Sequence, residues 1–416
     1  MQDAFRFSGW KYVQRPMNIL FYTSYKISPT QGGTERTTMS VATGLCKYYG
    51  YHCFSVFSIN SDTPKESCFE RELLWRPTDG VNPLADFVLK KRIDWIINQG
   101  VFNVVDILHE VREVTGCKVI FAHHFEPGWE IHFLTLKKYM ADLRTSGFLK
   151  KAMKTVGQIT IYPYTKWKYS HSLPTRYKDA YRNADKVILL SKNFIPQFRK
   201  YAHLDSADKF QIVPNGLSYD EYLPIERIGQ KKPVALIVSR LDDPQKRISL
   251  ALKIWNEVKR RPEAQDWQLN IVGHGRDEKK YRRMIQQLDI PDVHLLGRQQ
   301  PKPYYKEASI FLMTSRSEGW GLTLTEAMQF GVVPIAFNSY ASLEEIITDM
   351  VDGVIVPEGE IKEYVAQLLG LMADVDRRAK MAEEGIMNSK RFSQETVAKK
   401  WWNLLNDHEK NTDMCS

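Results

Sequence analysis

The chain has 416 residues, of which 43% are hydrophobic and 26% are charged, values typical of a folded protein with a sizeable core. This composition excludes a disordered, collagen-like or coiled-coil chain, and the length predicts about two or three domains. Lys and Arg number 58 against 49 Asp and Glu, and the resulting formal net charge of +9 favours a negatively charged partner.

The cysteines and the first residues of the chain indicate the cellular compartment of the protein. The five cysteines form no Cys-x-x-Cys pair and lie mostly among apolar residues, so we expect reduced thiols and a cytoplasmic protein. No stretch approaches the roughly 18 apolar residues of a membrane-spanning helix. Residues 1–16 lack the apolar core of a signal peptide and are interpreted as an N-terminal extension before Met17.

From Met17 onwards, short apolar runs alternate with longer helical stretches. This pattern is typical of a parallel sheet with helices on both faces, and it predicts a first α/β domain over residues 17–216. The predicted strands of this domain are 18–24, 54–58, 94–98, 118–122, 185–191 and 210–214.

The alternation stops and then restarts. Residues 217–232 are polar, contain Pro and Gly, and are interpreted as a linker to a second α/β domain over 233–390. The predicted strands of the second domain are 233–240, 267–273, 293–297, 309–315, 332–337 and 353–357. Two consecutive units of this kind predict two doubly wound domains that face each other across a cleft, with ligands bound by the loops that follow the strands.

Three such loops carry candidate ligand-binding residues. The first, after strand 18–24, contains Gly32 and Gly33 directly before a predicted helix, where backbone N–H groups could approach an anion. A tight turn explains the same two glycines equally well. The loop lacks the Gly-x-Gly-x-x-Gly pattern of an ordinary dinucleotide site.

The second loop, 238–247, follows the first strand of the second domain. Arg240 and Lys246 place two cations at the carboxyl end of this strand, which suits a diphosphate. Arg247 and the pair Asp242–Asp243 are interpreted as loop structure, because adjacent carboxylates in an extended chain point apart and make a poor metal site.

The third loop is SRSEGWGLTLTEAMQFG, residues 315–331. Glu318 lies in the loop and Glu326 about one turn inside the following helix, while Gly319 and Gly321 leave main-chain amides accessible. This arrangement could place one carboxylate on sugar hydroxyls and the other on a ribose, with phosphate held by the amides between them. An exposed glutamate beside a glutamate near a helix start would explain either residue alone.

These motifs together resemble the retaining GT-B glycosyltransferases of family GT4, also called glycosyl transferases group 1. The two glutamates separated by seven residues match the hallmark of that family, Arg240 and Lys246 match its diphosphate-binding cations, and GGTER (32–36) and IVPNG (212–216) match its glycine loop and domain junction. The resemblance runs from Met17 to about residue 405 and departs at Arg247, where many members carry Gly.

The resemblance implies two Rossmann-like domains and a metal-independent enzyme with no cofactor. The enzyme would transfer a sugar, with retention, from a nucleotide-diphosphate sugar, most often a UDP-sugar, to an acceptor hydroxyl. It also implies that His124, with His123 as the competing candidate, contacts the transferred sugar, and that Glu126 lies on the acceptor side. Catalytic roles then fall on His124, Arg240, Lys246 and Glu318. The implied donor-binding residues are Gly32, Gly33, Arg240, Lys246, Gly273, Arg298, Glu318, Gly319, Trp320, Gly321, Leu322, Thr323 and Glu326.

The segment 134–186 concentrates the positive charge of the chain, with twelve Lys and Arg against three acidic residues, interleaved with large apolar and aromatic side chains. This pattern favours amphipathic elements that lie on an anionic membrane surface, and it predicts a lipid-linked or saccharide acceptor. The protein would then be peripheral on the inner face of the membrane. An ordinary solvated helical face is the alternative. Nucleic acid is not expected as a partner, because no matching motif accompanies the charge.

Other functions stay open at this point. They are an inverting GT-B transferase, a sugar-nucleotide epimerase on the same fold, and a non-catalytic GT-B partner subunit. The final stretch, 391–416, reads as an amphipathic helix that the resemblance implies packs back on the first domain. A role in cell-surface polysaccharide or glycolipid biosynthesis is the expected setting.

Overall fold

The computed structural model describes residues 15–27, 32–60, 68–132 and 159–406. The expected N-terminal extension lies outside these residues except for its last two positions. Residues 134–158 of the basic segment also lie outside them, as do the last ten residues of the expected C-terminal helix.

The N-terminal domain is built on a parallel sheet. In the described residues this sheet has seven strands in the order β3-β2-β1-β4-β5-β6-β7. The strands are β1 (Asn18–Tyr25), β2 (His52–Ile59), β3 (Arg71–Leu74), β4 (Trp95–Asn98), β5 (Lys118–His123), β6 (Lys186–Leu189) and β7 (Phe210–Ile212). The helices are α1 (Gly33–Tyr49), α2 (Asn82–Lys91), α3 (Val105–Thr115), α4 (Trp129–His132), α5 (Tyr162–Asn183) and α6 (Phe194–Ala202).

The apolar runs of the sequence become buried strands because helices cover both faces of this sheet. Ile19, Leu20 and Phe21 of β1, for example, are fully buried. The sequence pattern missed β3. In the part of the chain that the structure describes, this strand pairs with β2 alone at the sheet edge and is partly exposed, so its residues Arg-Glu-Leu-Leu carry no continuous apolar run.

The C-terminal domain repeats the architecture. In the described residues its parallel sheet has six strands in the order β10-β9-β8-β11-β12-β13. The strands are β8 (Val234–Val238), β9 (Gln268–Val272), β10 (Val293–Gly297), β11 (Ile310–Met313), β12 (Val333–Asn338) and β13 (Val354–Pro357). The helices are α7 (Asp243–Lys246), α8 (Ile248–Val258), α9 (Glu278–Gln287), α10 (Lys302–Glu307), α11 (Leu322–Gln329), α12 (Ile361–Ala373) and α13 (Val375–Ser389). The prediction of two doubly wound α/β domains is confirmed.

The segment between the domains is packed against its neighbours along part of its length. Leu217 and Leu223 are buried, and 3₁₀ turns occupy Ile225–Gln230. The Lys231 ammonium donates to the carbonyl oxygens of Tyr305 and Ala308 at 3.0 and 2.7 Å, and burial lowers its pKa to about 7. This segment is therefore fastened to the C-terminal domain.

The last described helix, α14 (Gln394–Asn406), crosses back to the N-terminal domain and packs on α1. Its buried face joins the core beneath β1 through Val397, Trp401, Leu404 and Leu405. The approach to α1 is close, because a Cβ added at Gly44 would lie 2.8 Å from the Cβ of Ala398. This contact joins the last described helix to the first helix of the N-terminal domain. None of the described helices combines the length and apolar content that a membrane crossing requires.

Candidate functional site

The candidate ligand-binding residues lie mainly in loops at the carboxyl ends of strands, where open parallel sheets bind ligands. The loop after β8 carries Lys246, and the loop after β11 carries Glu318. The two loops meet around a narrow concavity in the C-terminal domain. Its polar lining residues are Ser239, Lys246, Thr314, Ser315, Glu318 and Thr323.

Lys246 and Glu318 form a direct ion pair at this concavity. The ammonium nitrogen lies 2.5 Å from Glu318 Oε1, and the two side chains are 17% and 10% exposed. Lys246 ends the short helix α7, so its backbone is fixed before its side chain reaches the neighbouring loop. The structure thus brings together two residues that are 72 positions apart in the sequence.

Arg247, next in the chain, has a different environment. Its guanidinium donates to the carbonyl oxygens of Thr314 and Ser315 at 2.6 and 3.0 Å and forms an ion pair with Glu358. It therefore fixes the loop after β11 from behind. Asp243 is likewise structural, since its carboxylate accepts hydrogen bonds from the Ser249 backbone and hydroxyl.

Arg240 remains close to the loops but faces outwards. Its side chain is 64% exposed, and its guanidinium donates to Gln245 Oε1 at 2.9 Å. Gln245 in turn donates to the carbonyl oxygen of Ser317 at 3.2 Å. Arg240 is thus a cation at the rim of the concavity, connected through Gln245 to the loop that carries Glu318.

Gly319 brings the two domains into backbone contact. A Cβ added there would lie 2.0 Å from the carbonyl oxygen of His124, a separation that no side chain tolerates. The loop after β5 in the N-terminal domain therefore reaches the glutamate loop of the C-terminal domain. Glycine at this position is required by the close approach.

His123 and His124 differ in their surroundings. The His123 ring is 1% exposed and lies against the rings of Phe121, Tyr177 and Phe198, and a hydrogen bond of 3.3 Å joins its Nε2 to the Tyr177 hydroxyl. His124 donates from Nε2 to Gln99 Oε1, and its Nδ1 has no hydrogen-bond partner among the described residues. His123 is thus part of the aromatic core, whereas His124 lies at the domain interface.

Burial keeps both histidines neutral. It lowers the pKa of His123 to about 3, with a smaller contribution from neighbouring His124, and lowers the pKa of His124 to about 4. At neutral pH His124 can act on a ligand through hydrogen bonds or its backbone carbonyl, and not as a cation.

Glu126, expected on the acceptor side, links the two domains in this structure. Its carboxylate accepts from the hydroxyl of Ser317 at 3.0 Å and from the side-chain amide of Gln197 at 3.1 Å. Ser317 immediately precedes Glu318, so this hydrogen bond connects the histidine loop to the catalytic candidate of the other domain.

The Glu326 carboxylate is fully buried. Its Oε1 accepts from Arg36 Nη1 and Ser218 Oγ, both at 2.6 Å, and its Oε2 accepts from the Tyr305 hydroxyl at 3.1 Å. The ion pair with Glu326 raises the pKa of Arg36. In this arrangement the carboxylate does not reach the solvent side of the cleft, so its expected contact with ribose remains a prediction.

Sequence reasoning overlooked Arg36, although it belongs to the GGTER motif. The glycines of this motif drew attention to the loop, and nothing in the sequence connects Arg36 with a glutamate 290 positions away. Gly33 begins α1 next to the start of α11, because a Cβ at Gly33 would lie 3.5 Å from Leu322 Cδ1. Gly32 is the N-cap of the same helix.

The residues expected around a nucleotide base lie at the ends of β9 and β10. Gly273 has φ of +146°, and a Cβ there would lie 1.8 Å from the Ser239 carbonyl oxygen, so this loop packs tightly on the loop after β8. Arg298 is exposed after β10. The Trp320 ring is buried edge-on against Phe392, so a donor contact at this position would come from its backbone.

The start of α11 completes this part of the site. Gly321 has φ of +90° and caps the helix, and Leu322 and Thr323 are its first two residues. Their backbone N–H groups have no partner in the preceding turn of a helix and can bind an anion. Among the described residues, no group of three or more His, Cys, Asp and Glu side chains is arranged to hold a metal ion.

Comparisons with known proteins place this geometry in context. Residues 218–387 match the family described as glycosyl transferases group 1. The chain is 31% identical over 180 residues to the amylovoran biosynthesis glycosyltransferase AmsD of Erwinia amylovora, a match that covers 43% of this chain and 49% of the relative. It is 26% identical over 237 residues to the lipopolysaccharide 1,6-galactosyltransferase of Salmonella typhimurium, which covers 55% of this chain and 63% of that protein.

The chain thus spans about half the length of the Erwinia relative and less than two thirds of the Salmonella one. The fold extends further than the sequence similarity. The crystal structure of Anabaena Alr3699/HepE in complex with UDP and glucose superposes with a TM-score of 0.69 at 17% identity, over 94% of this chain and 100% of that one. This chain is therefore similar to the glycosyl transferases group 1 over residues 218–387, and its two domains form a GT-B fold.

Proposed function

We propose that the protein is a retaining glycosyltransferase of the GT4 type that transfers a sugar from a UDP-sugar to an acceptor hydroxyl in cell-surface polysaccharide or glycolipid biosynthesis. The observation that carries this proposal is the meeting of Lys246, Glu318 and the start of α11 opposite the His124 loop. The relatives named for amylovoran and lipopolysaccharide synthesis support the setting, and the neighbour solved with UDP and glucose supports the donor.

The leaving nucleoside diphosphate gains negative charge as the glycosidic bond breaks. Lys246, Arg240 and the backbone amides of Leu322 and Thr323 supply positive charge and hydrogen-bond donors at the place where this charge develops. The N-terminus of α11 adds its partial positive charge. These groups would stabilise the leaving diphosphate without a metal ion.

The sugar would lie between the two domains. Glu318 is placed to accept hydrogen bonds from hydroxyls of the transferred sugar, and the His124 carbonyl oxygen borders the same loop at Gly319. We assign no covalent nucleophile, and we propose that the acceptor attacks on the same face as the leaving group. A donor phosphate oxygen would then take the acceptor proton.

A screen of nucleotide release with UDP-, GDP- and ADP-sugars tests this function. We expect release from a UDP-sugar, unaffected by EDTA, and much weaker in a Lys246→Ala variant. If no donor releases its nucleotide, whichever acceptor is supplied, a non-catalytic partner subunit is favoured. Conversion of the donor sugar without nucleotide release would identify an epimerase.

The stereochemistry of the product separates the remaining alternative. NMR of the anomeric proton should show the same configuration in donor and product. An inverted product would contradict retention and favour an inverting GT-B transferase.

We also propose that the basic segment contacts an anionic membrane that holds the acceptor. In its described part, Tyr164 and Trp167 near the start of α5 are 61% and 55% exposed, and their stacked rings lie 6.0 Å apart beside Lys166 and Lys168. Aromatic rings between lysines are typical of the membrane interface.

Flotation with liposomes that contain anionic phospholipid tests this contact. Binding at low salt should fall when Lys166 and Lys168 are both changed to Glu, whereas the same change at Lys279 and Lys280 on α9 is the control. Absence of binding by the unaltered protein at low salt would reject the proposal.

A further inference from the structure

The buried carboxylate of Glu326 collects hydrogen bonds from three separate parts of the chain. Arg36 comes from α1, Ser218 from the segment between the domains, and Tyr305 from α10 of the C-terminal domain. A carboxylate with no exposed surface carries a large desolvation cost unless a cation and further donors compensate it. Among the described residues, Arg36 is the cation that forms an ion pair with it.

This ion pair joins the two domains. Arg36 belongs to the N-terminal domain and its side chain is 23% exposed, whereas Glu326 belongs to the C-terminal domain and is 0% exposed. Separation of the domains would pull the guanidinium away and leave the carboxylate with Ser218 and Tyr305. The pair therefore depends on the two domains keeping the arrangement seen here.

The pair also fixes the starts of two helices. Arg36 lies one turn after Gly33, where α1 begins, and Glu326 lies one turn after Leu322, where α11 begins. The two starts are in contact, since a Cβ at Gly33 would lie 3.5 Å from Leu322 Cδ1. An ion pair one turn inside both helices holds their N-terminal amides on the same side of the cleft.

We infer that Arg36 is a positioning residue, which clasps the domains through Glu326 so that the starts of α1 and α11 face one bound diphosphate. This inference rests on the proposed function, because that function supplies the diphosphate.

The test uses the full chain and four variants: Arg36→Met, Arg36→Lys, Glu326→Gln and the Arg36→Met/Glu326→Gln double variant. Arg112→Met is the matched control, because Arg112 forms a 2.9 Å ion pair with Asp185 inside the N-terminal domain and is 33% exposed. Calorimetry measures the Kd of UDP, and small-angle X-ray scattering measures the radius of gyration with and without UDP.

We expect Arg36→Met to weaken UDP binding at least tenfold and to enlarge the radius of gyration, whereas Arg112→Met changes neither. Arg36→Lys should recover part of the affinity, and it also serves if Arg36→Met does not fold. The double variant should bind UDP no more weakly than the weaker single variant, because both changes remove one interaction.

Two results would overturn the inference. The first is an equal Kd of UDP in Arg36→Met and Arg112→Met. The second is a double variant in which the increase in the Kd of UDP is the product of the increases in the two single variants.

Failure of the proposed function gives a different pattern. If the unaltered protein binds no nucleoside diphosphate, that function fails, and the radius of gyration alone decides the role of Arg36. An enlarged radius in Arg36→Met would support the clasp, and an unchanged radius would reject it.

Discussion

Lys246 and Glu318 lie in the segments that follow two different strands, β8 and β11, and their side chains meet with Nζ 2.5 Å from Oε1. Each residue holds the other in a fixed position within a mostly buried concavity. A ligand phosphate that enters this concavity finds a cation already oriented, and a sugar hydroxyl finds a carboxylate already oriented. Preorganisation of this kind reduces the reorganisation that catalysis requires.

Lys246→Met should lower kcat/KM for the sugar donor by about 10²- to 10³-fold, the usual effect of removing one preorganised group that stabilises developing charge. Steady-state kinetics of nucleotide release measure the change. Lys253→Met on α8 is the control, because Lys253 is exposed in the same domain. Equal kinetics in the two variants would contradict the assignment of Lys246 to the diphosphate.

Gly319→Ala should abolish most activity with little effect on folding. The new methyl group would collide with the backbone of His124, which cannot move aside as a flexible side chain could, but the domains can relieve the collision by separating. Gly229→Ala is the control, because a Cβ there meets nothing within 4 Å. Activity and thermal unfolding are compared for both variants; full activity in Gly319→Ala would show that the domains work without this contact.

Replacement by Met should mainly affect stability at Arg247 and activity at Arg240. Arg247 is 14% exposed and holds two loop carbonyls, so its loss should lower the free energy of unfolding by about 1–3 kcal/mol. Arg240 is 64% exposed, so its loss should leave stability unchanged and reduce activity. Urea unfolding and donor kinetics of the two variants test this contrast, and a stability loss confined to Arg240→Met would refute it.

His123 and His124 should make the fold sensitive to mild acid. Their folded pKa values of about 3 and about 4 lie below the ordinary value of 6.5, so the unfolded chain binds more protons between these limits. The free energy of unfolding is therefore highest above pH 6.5 and falls as the pH is lowered towards 4. The decrease is at most about 1.4 kcal/mol per pH unit for each histidine. Urea unfolding of the unaltered protein and of His124→Gln over this pH range measures the change. The variant should show the smaller slope, and equal slopes would contradict the lowered pKa of His124.

Trp401→Ala should destabilise the N-terminal domain by about 3–5 kcal/mol, the usual cost of removing a buried aromatic ring. Trp401 is 4% exposed in the core shared by α14 and α1. Trp167→Ala is the control, because its ring is 55% exposed. Thermal unfolding of the two variants tests whether α14 is part of that core, and equal midpoints would show that it is not.

Most of the architecture could be predicted from the sequence, because buried parallel strands are short apolar runs and helices separate them. The exception, β3, is an edge strand with one neighbour, and its half-exposed residues leave no apolar signal. The loops around Lys246 and Glu318 were also predictable, since strand order places carboxyl ends together.

Side-chain environments were harder to predict. The sequence does not show which of the two adjacent histidines enters the aromatic core. The residues next to Trp320 likewise do not show whether its ring faces a ligand or Phe392. These outcomes depend on packing between segments that are distant in the chain, and no local pattern encodes them.

The net charge of +9, the two α/β domains and the spacing of Glu318 and Glu326 follow from the sequence by itself. Only the tertiary structure decided that Glu318 pairs with Lys246 while Glu326 is buried with Arg36 of the other domain. The reason is physical: a motif fixes residues along one strand and helix, whereas the partner of a carboxylate depends on which cation the folded chain brings within hydrogen-bond distance.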